Sequence, residues 1–193
     1  MTIKTLLLDI GGIFFYPAWR IRGILETSKE LQVEVDVFKL ALDKNKKLFY
    51  TGAISETDYW SYIIDTLKLQ TVKPSTLKTL YRKYVTPIPE TIDLLPRLSS
   101  KFTLLSCNNS PKEWMDYRIK IASLDKYFSV FLTSGYLGYM KPDGKVYETV
   151  INSYKKEDLF YLDDNEQYIE KAQEYGIIGK VYQNYNDLLQ LVT

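Results

Sequence analysis

The stretch Ile3-Lys-Thr-Leu-Leu-Leu-Asp9-Ile-Gly-Gly12 decides the fold. Its apolar run is short, stops at a carboxylate and leads into two glycines, the pattern of a buried strand followed by a glycine turn. Similar short apolar runs recur at residues 102–105, 130–132 and 159–162. The segments between them have helical spacing. Residues 91–98 place Ile92, Leu94, Leu95 and Leu98 for a helix. Ser110-Pro111 followed by Glu113 reads as a cap and first turn. Residues 143–154 put Val146, Val150 and Ile151 on one face, and residues 166–175 end at Gly176, a helix stop. Strands alternating with helices predict an α/β fold with a parallel, Rossmann-like sheet.

Residues 19–85 differ. Helical periodicity covers 20–31, 36–49, 56–67 and 75–84, with Thr51-Gly52 and Lys73-Pro74 as punctuation and no strand pattern. Thr86-Pro-Ile-Pro89 returns the chain to the α/β region. The expected organisation is a core of residues 1–16 and 87–193, interrupted directly after its first strand by a small all-α cap subdomain at 17–86. Phe38, Phe49, Tyr59, Trp60 and Tyr62 are expected inside that cap or at its interface with the core.

Composition narrows the chemistry. The 193 residues carry 25 basic and 24 acidic side chains, a net charge of +1, which gives no bulk electrostatic reason to expect nucleic acid or an anionic membrane. There is no histidine, which excludes Ser-His-Asp and Cys-His catalysis and every His-ligated metal site. A lone cysteine, Cys107, forms neither an internal disulfide nor a Cys-based zinc site. Asp9 interrupts the N-terminal apolar run before it reaches signal-peptide length, and no stretch approaches a membrane span. The expectation is a soluble cytoplasmic protein. What remains for catalysis is carboxylates, lysines, hydroxyls and a hard cation such as Mg²⁺.

In open α/β sheets ligands bind outside the carboxyl ends of the strands. Asp9 ends the first strand, Ser106 follows residues 102–105, Lys141 sits in the loop Gly138-Tyr-Met-Lys-Pro-Asp143, and Asp163-Asp164 follow 159–162. All four are therefore expected at one crevice. Each alone has a plainer reading: Asp9 as a turn residue, Ser106 and the Asp163-Asp164 pair as helix caps, Lys141 as a solvated loop lysine. Two adjacent acids after a buried strand, however, are costly unless paired or metal-bound.

In order, spacing and point of insertion, Leu-Leu-Leu-Asp9-Ile-Gly-Gly, Leu-Leu-Ser106-Cys-Asn, Lys141-Pro-Asp and Phe-Tyr-Leu-Asp163-Asp164-Asn resemble the motifs of the haloacid dehalogenase-like (HAD) hydrolases. The branch resembled has a helical cap after the first strand and includes enzymes similar to bacterial sugar-phosphate phosphatases. The resemblance implies that Asp9 is a nucleophile forming an aspartyl-phosphate. It implies Mg²⁺ held by Asp9, the Gly11 carbonyl and Asp164, with Asp163 acting through water or orienting the site. Lys141 would supply a second positive charge, and Gly11, Gly12, Ser106, Cys107 and Asn108 would bind phosphoryl oxygens.

Three positions depart from the family pattern. Most family phosphatases carry a second acid two residues after the nucleophile, as proton donor and acceptor; here that residue is Gly11. General acid–base catalysis is worth roughly 10²–10⁴ in rate, so the departure bears on rate and leaving group. Cys107 replaces a common asparagine, and Tyr168 a supporting Asp or Asn. The expected activity is Mg²⁺-dependent hydrolysis of a small phosphorylated metabolite, sugar phosphates included, by a monomer or homodimer. A low-turnover phosphate- or metal-binding module is a second reading, and a metal-independent dehalogenase a third. Tyr16, Trp19, Arg20 and Arg22, which follow the first motif, are expected near the hinge between core and cap.

Overall fold

The computed structural model describes residues 3–193; residues 1 and 2, at the start of the expected 1–16 core segment, lie outside the described residues. Five strands form one parallel sheet: β1 (Thr5–Leu8), β2 (Thr103–Asn108), β3 (Phe128–Thr133), β4 (Leu159–Asp163) and β5 (Ile178–Val181), in the order β3-β2-β1-β4-β5. β1 sits in the middle with all four residues buried. Its near-continuous leucine run follows from that place, because a central parallel strand is covered on both faces.

The period of two sorts the strand residues into two cores. Leu6, Leu8, Leu104 and Leu162 face one layer, closed by helices α7 (Leu95–Lys101), α8 (Lys112–Ala122) and α12 (Tyr185–Val192). Leu7, Leu105, Cys107, Leu159 and Tyr161 face the other, closed by α10 (Lys145–Ser153) and α11 (Glu166–Glu174). Short helices α6 (Pro89–Ile92) and α9 (Ser134–Leu137) complete the layers. The chain passes from β1 through β2 to β3 on one side, then returns to β4 on the other. The carboxyl ends of β1 and β4 therefore flank a topological switch point, the favoured ligand position in such sheets.

After a turn segment that follows β1, the chain from Trp19 to Arg82 is built of helices and their connections. A π-helical turn (Trp19–Gly23) runs into α1 (Ile24–Glu30), followed by α2 (Val35–Lys44), α3 (Lys46–Tyr50), α4 (Glu56–Leu67) and α5 (Pro74–Arg82). The helix expected over 36–49 breaks at Asn45, whose backbone is not helical. Ser55 and Asp58 form a reciprocal capping box at the start of α4. Phe38, Phe49, Tyr59 and Trp60 are buried in one aromatic cluster, as expected, but Tyr62 is 38% exposed. Trp114, from α8 of the core, belongs to the same cluster and stacks on Tyr81 at 3.8 Å between ring centroids. Cap and core also meet where the Ser134 hydroxyl donates to the Tyr50 carbonyl at 2.7 Å. At that contact Gly52 (φ +72°) brings its backbone so close to Gly135 that a Cβ would lie 2.4 Å from its carbonyl oxygen.

Other expectations need correction. β2 runs on to Asn108, because Cys107 and Asn108 pair with Leu132 and Thr133 of β3, so Ser106 lies inside the strand. The residue preceding α8 is Pro111 and no side chain caps it; the Glu113 carboxylate instead accepts the Glu56 N–H at 3.0 Å, across to the cap. β5 and α12 had no counterpart in the sequence reading.

Candidate active site

Lys141 is the centre of the site. It begins a 3₁₀ turn (Lys141–Asp143), and its N–H donates to Asn109 Oδ1 at 2.9 Å, which ties this loop to the end of β2. Its Nζ reaches Asp9 Oδ1 at 2.9 Å and Asp163 Oδ2 at 2.6 Å, with the lysine side chain only 4% exposed. Asp9 follows β1 directly, and its N–H donates to the Leu162 carbonyl at 2.9 Å, which fixes it against β4. Asp163 is fully buried; beyond Lys141 it accepts the Tyr161 hydroxyl and, at Oδ1, the Asn165 N–H at 2.9 Å. Three donors thus hold Asp163, and it in turn orients Lys141. The Tyr168 ring lies under the ammonium, 4.5 Å from Nζ, a cation–π contact.

Asp9, Asp163 and Asp164 each present a carboxylate oxygen within 4.8 Å of the others. Burial pushes the Asp9 carboxyl up to about 7; the Lys141 ammonium opposes the rise, while Asp163 and Asp164 add to it. Asp164 is raised too, chiefly by desolvation and then by Asp163. Burial works against the charge on Lys141, but Asp9 and Asp163 outweigh it and hold the lysine protonated. Three acids around one ammonium leave an excess of negative charge, which a divalent cation neutralises.

The donor set fits Mg²⁺, a hard cation that takes carboxylate and carbonyl oxygens. Asp9 Oδ2 is free of Lys141, and Asp164 is exposed to the cavity. Gly12 (φ +78°) lies so close to Asp164 that a Cβ there would fall 2.2 Å from its Oδ2, so only glycine lets the backbone pass. Asp163, already bonded three ways, is left to position its neighbours.

A cavity of about 190 Å³ opens between core and cap, lined by Asp9, Gly11, Gly12, Asn108, Lys141 and Asp164 among the expected site residues. Tyr16, Trp19, Arg20 and Tyr168 also line it. Arg22, Asp163, Ser106 and Cys107 do not. Ser106 is fully buried and its hydroxyl donates to Asn108 Oδ1 at 3.3 Å, which also accepts from Thr133 at 3.0 Å. Cys107 faces the opposite core, where burial pushes its thiol up to about 12, and it acts as a small apolar residue. Asn108, as expected, and Asn109, just past the end of β2, stand at the cavity. The sequence reading also missed Asn109 and Tyr161 as positioning residues and Arg118 as a lining residue. The polar run Ser106-Cys-Asn-Asn-Ser110 was the available signal, and strand alternation would have separated its two faces.

Residues 23–179 match the family model described as haloacid dehalogenase-like hydrolase. No curated protein matches the chain. Among solved structures, the fold is similar to a HAD family enzyme from Bacteroides thetaiotaomicron, with 20% identity over all of both chains and a TM-score of 0.85. A form of that enzyme in complex with magnesium and inorganic phosphate matches at 22% identity over 94% of each chain, TM-score 0.82. A predicted HAD-like family hydrolase from Porphyromonas gingivalis matches at 17% identity over 99% of this chain and 98% of its own, TM-score 0.80. L-2-haloacid dehalogenase from Xanthobacter autotrophicus is more distant, with 17% identity over 92% of this chain and 76% of its own and a TM-score of 0.62.

Proposed function

The chain belongs to the haloacid dehalogenase-like hydrolases, and from that premise we propose that it is a Mg²⁺-dependent phosphomonoester hydrolase acting through a phosphoaspartate on Asp9. The observation that carries this reading is the partition of the Asp9 carboxylate: Oδ1 is tied to the Lys141 ammonium while Oδ2 is left toward the cavity, in an acidic cluster that calls for a cation. Asp9, Asp164 and the Gly11 carbonyl would hold Mg²⁺, which reduces repulsion between the anionic nucleophile and the phosphate. The related Bacteroides enzyme has been solved with both magnesium and phosphate, which supports the assignment.

Asp9 Oδ2 attacks phosphorus, the P–O bond to the leaving group breaks, and the phosphoryl group passes to Asp9. Water then attacks the same phosphorus and frees Asp9. Lys141 stays protonated throughout, so it stabilises charge on the transferring oxygens and on Asp9 and donates no proton. Gly11, Gly12 and Asn108 line the volume where the phosphoryl oxygens would sit; the Gly12 N–H is itself given to the Phe15 carbonyl at 2.9 Å, and the Asn108 amide is engaged by Ser106, Thr133 and Met115. Gly11 supplies no acid, so the leaving group departs as an anion or takes its proton from solvent, which favours anomeric, acyl and aryl phosphates. The cavity suits a small phosphorylated metabolite, sugar phosphates among them.

A direct dehalogenation reading fits the charge less well, because Asp164 would then stand uncompensated beside Asp9. Phosphate release from an aryl phosphate, with Mg²⁺, with EDTA and for Asp9→Asn, tests the proposal. Release that needs Mg²⁺ and vanishes in Asp9→Asn is expected; release that survives in Asp9→Asn overturns it.

A further inference from the structure

The cavity has a second charged wall, away from the acidic cluster in chemical character. Arg118 of α8 lines it together with Ser110, Tyr81 and Phe15. Its terminal nitrogens donate to Ser110 Oγ at 3.0 Å and to the Tyr81 hydroxyl at 3.2 Å, and the guanidinium stands 5.7 Å from the Phe15 ring centroid. Its Nε is buried without a hydrogen-bond partner. A guanidinium has five N–H donors, so most of this one's capacity is unspent. Among the described residues no carboxylate lies within ion-pair distance of it. Its neighbour Arg82 contrasts with it: Arg82 is neutralised by the buried Glu56 at 3.0 Å. Arg20, the other arginine of the cavity, is exposed and faces the charge of Asp164.

A part-buried cation held only by neutral hydroxyls is costly unless a ligand brings the anion. Guanidinium pairs with planar or tetrahedral oxyanions through parallel N–H bonds, and Ser110 and Tyr81 hold this one in place. We infer that the substrate carries a second oxyanion besides the transferred phosphoryl group, and that Arg118 with Ser110 and Tyr81 binds it. This rests on the phosphatase reading and narrows its substrate class to phosphate esters or anhydrides bearing a carboxylate or another phosphoryl group.

Calorimetric titration with phosphonates tests it without turnover. The probes are ω-phosphonocarboxylates of increasing chain length, bisphosphonates of matching length, and plain alkylphosphonates, each with Mg²⁺ present. For at least one length, the second oxyanion is expected to tighten binding by about tenfold over the matched alkylphosphonate. Arg118→Gln should bring that ratio close to one, and Arg118→Lys should keep part of it. Comparing the carboxylate and bisphosphonate series shows which oxyanion the site takes. A ratio near one at every length in the wild type, or a ratio that persists in Arg118→Gln, overturns the inference while leaving the phosphatase reading intact. Failure of every phosphonate to bind, with no phosphate released from an aryl phosphate, overturns both.

Discussion

Replacing Lys141 with methionine removes the ammonium that Asp9 and Asp163 share while filling most of its volume. At 2.9 and 2.6 Å, with an effective dielectric constant of about 20, each contact supplies roughly 6 kcal/mol of gross attraction. Desolvation of three buried charges offsets most of that, so the measurable loss is the cost of stranding buried carboxylates, about 3–5 kcal/mol. For a chain of this length 1 kcal/mol moves Tm by about 2–4 °C, so a drop of roughly 10 °C is expected in EDTA at pH 8. The drop should shrink at pH 5. Asp9 is held up to about 7 even with Lys141 present, so at pH 5 it is protonated in both proteins and only the contact with Asp163 is lost. Thermal melts of both proteins at the two pH values check this. Equal Tm values at pH 8 would refute the claim that Lys141 is the buried counterion of the site.

The remaining predictions concern Asp9, the cation and Gly11. Folding raises the Asp9 carboxyl from its ordinary 3.8 to about 7, so the folded state binds the extra proton and metal-free stability falls as pH rises between these values. Its slope should approach about 1.4 kcal/mol per pH unit, and Asp9→Asn should flatten it in urea melts taken from pH 4 to 8. Mg²⁺ at one hundred times its Kd should stabilise the wild type by about 2.7 kcal/mol, and Asp164→Asn should lose most of that gain in Tm. A Cβ built on Gly11 meets only Asp9 Oδ2, at 3.7 Å, so a side chain fits there. Gly11→Asp should therefore raise kcat on poor leaving groups such as alkyl phosphates roughly tenfold or more, with a smaller gain on aryl phosphates; steady-state assays on both classes read this out.

Much of the fold was written in patterns of short range. The apolar run before Asp9 marked the central strand because a strand covered on both faces has no polar alternation to hide it. The insertion was visible as 3.6-residue spacing with no competing strand pattern, and Asp9, Lys141 and the Asp163-Asp164 pair converged because parallel strands all point their carboxyl ends the same way, while Ser106 stayed buried inside β2. The misses have physical causes as well. Ile178-Gly-Lys-Val181 is an edge strand with alternate residues exposed, and Gly179 weakens its signal. β2 outlasts its apolar residues because Ser106 and Asn108 satisfy each other inside the sheet, so the polar run looked like a loop. Arg118 lies ten residues beyond that strand, and only the docking of the cap brings Tyr81 to it. The anchoring of Lys141 by Asp163, and of Asp163 by Tyr161, likewise depends on register between strands.

The central claim is that the free oxygen of Asp9 takes up phosphorus with a divalent cation at its side. Acid-quenching the enzyme during turnover of an acyl or aryl phosphate, then locating the phosphoryl group by peptide mass spectrometry, tests it most directly. The account predicts phosphorylation of Asp9 that depends on Mg²⁺ and is lost with EDTA. Steady phosphate release with Asp9 unmodified, or with the phosphoryl group on another side chain, would contradict it.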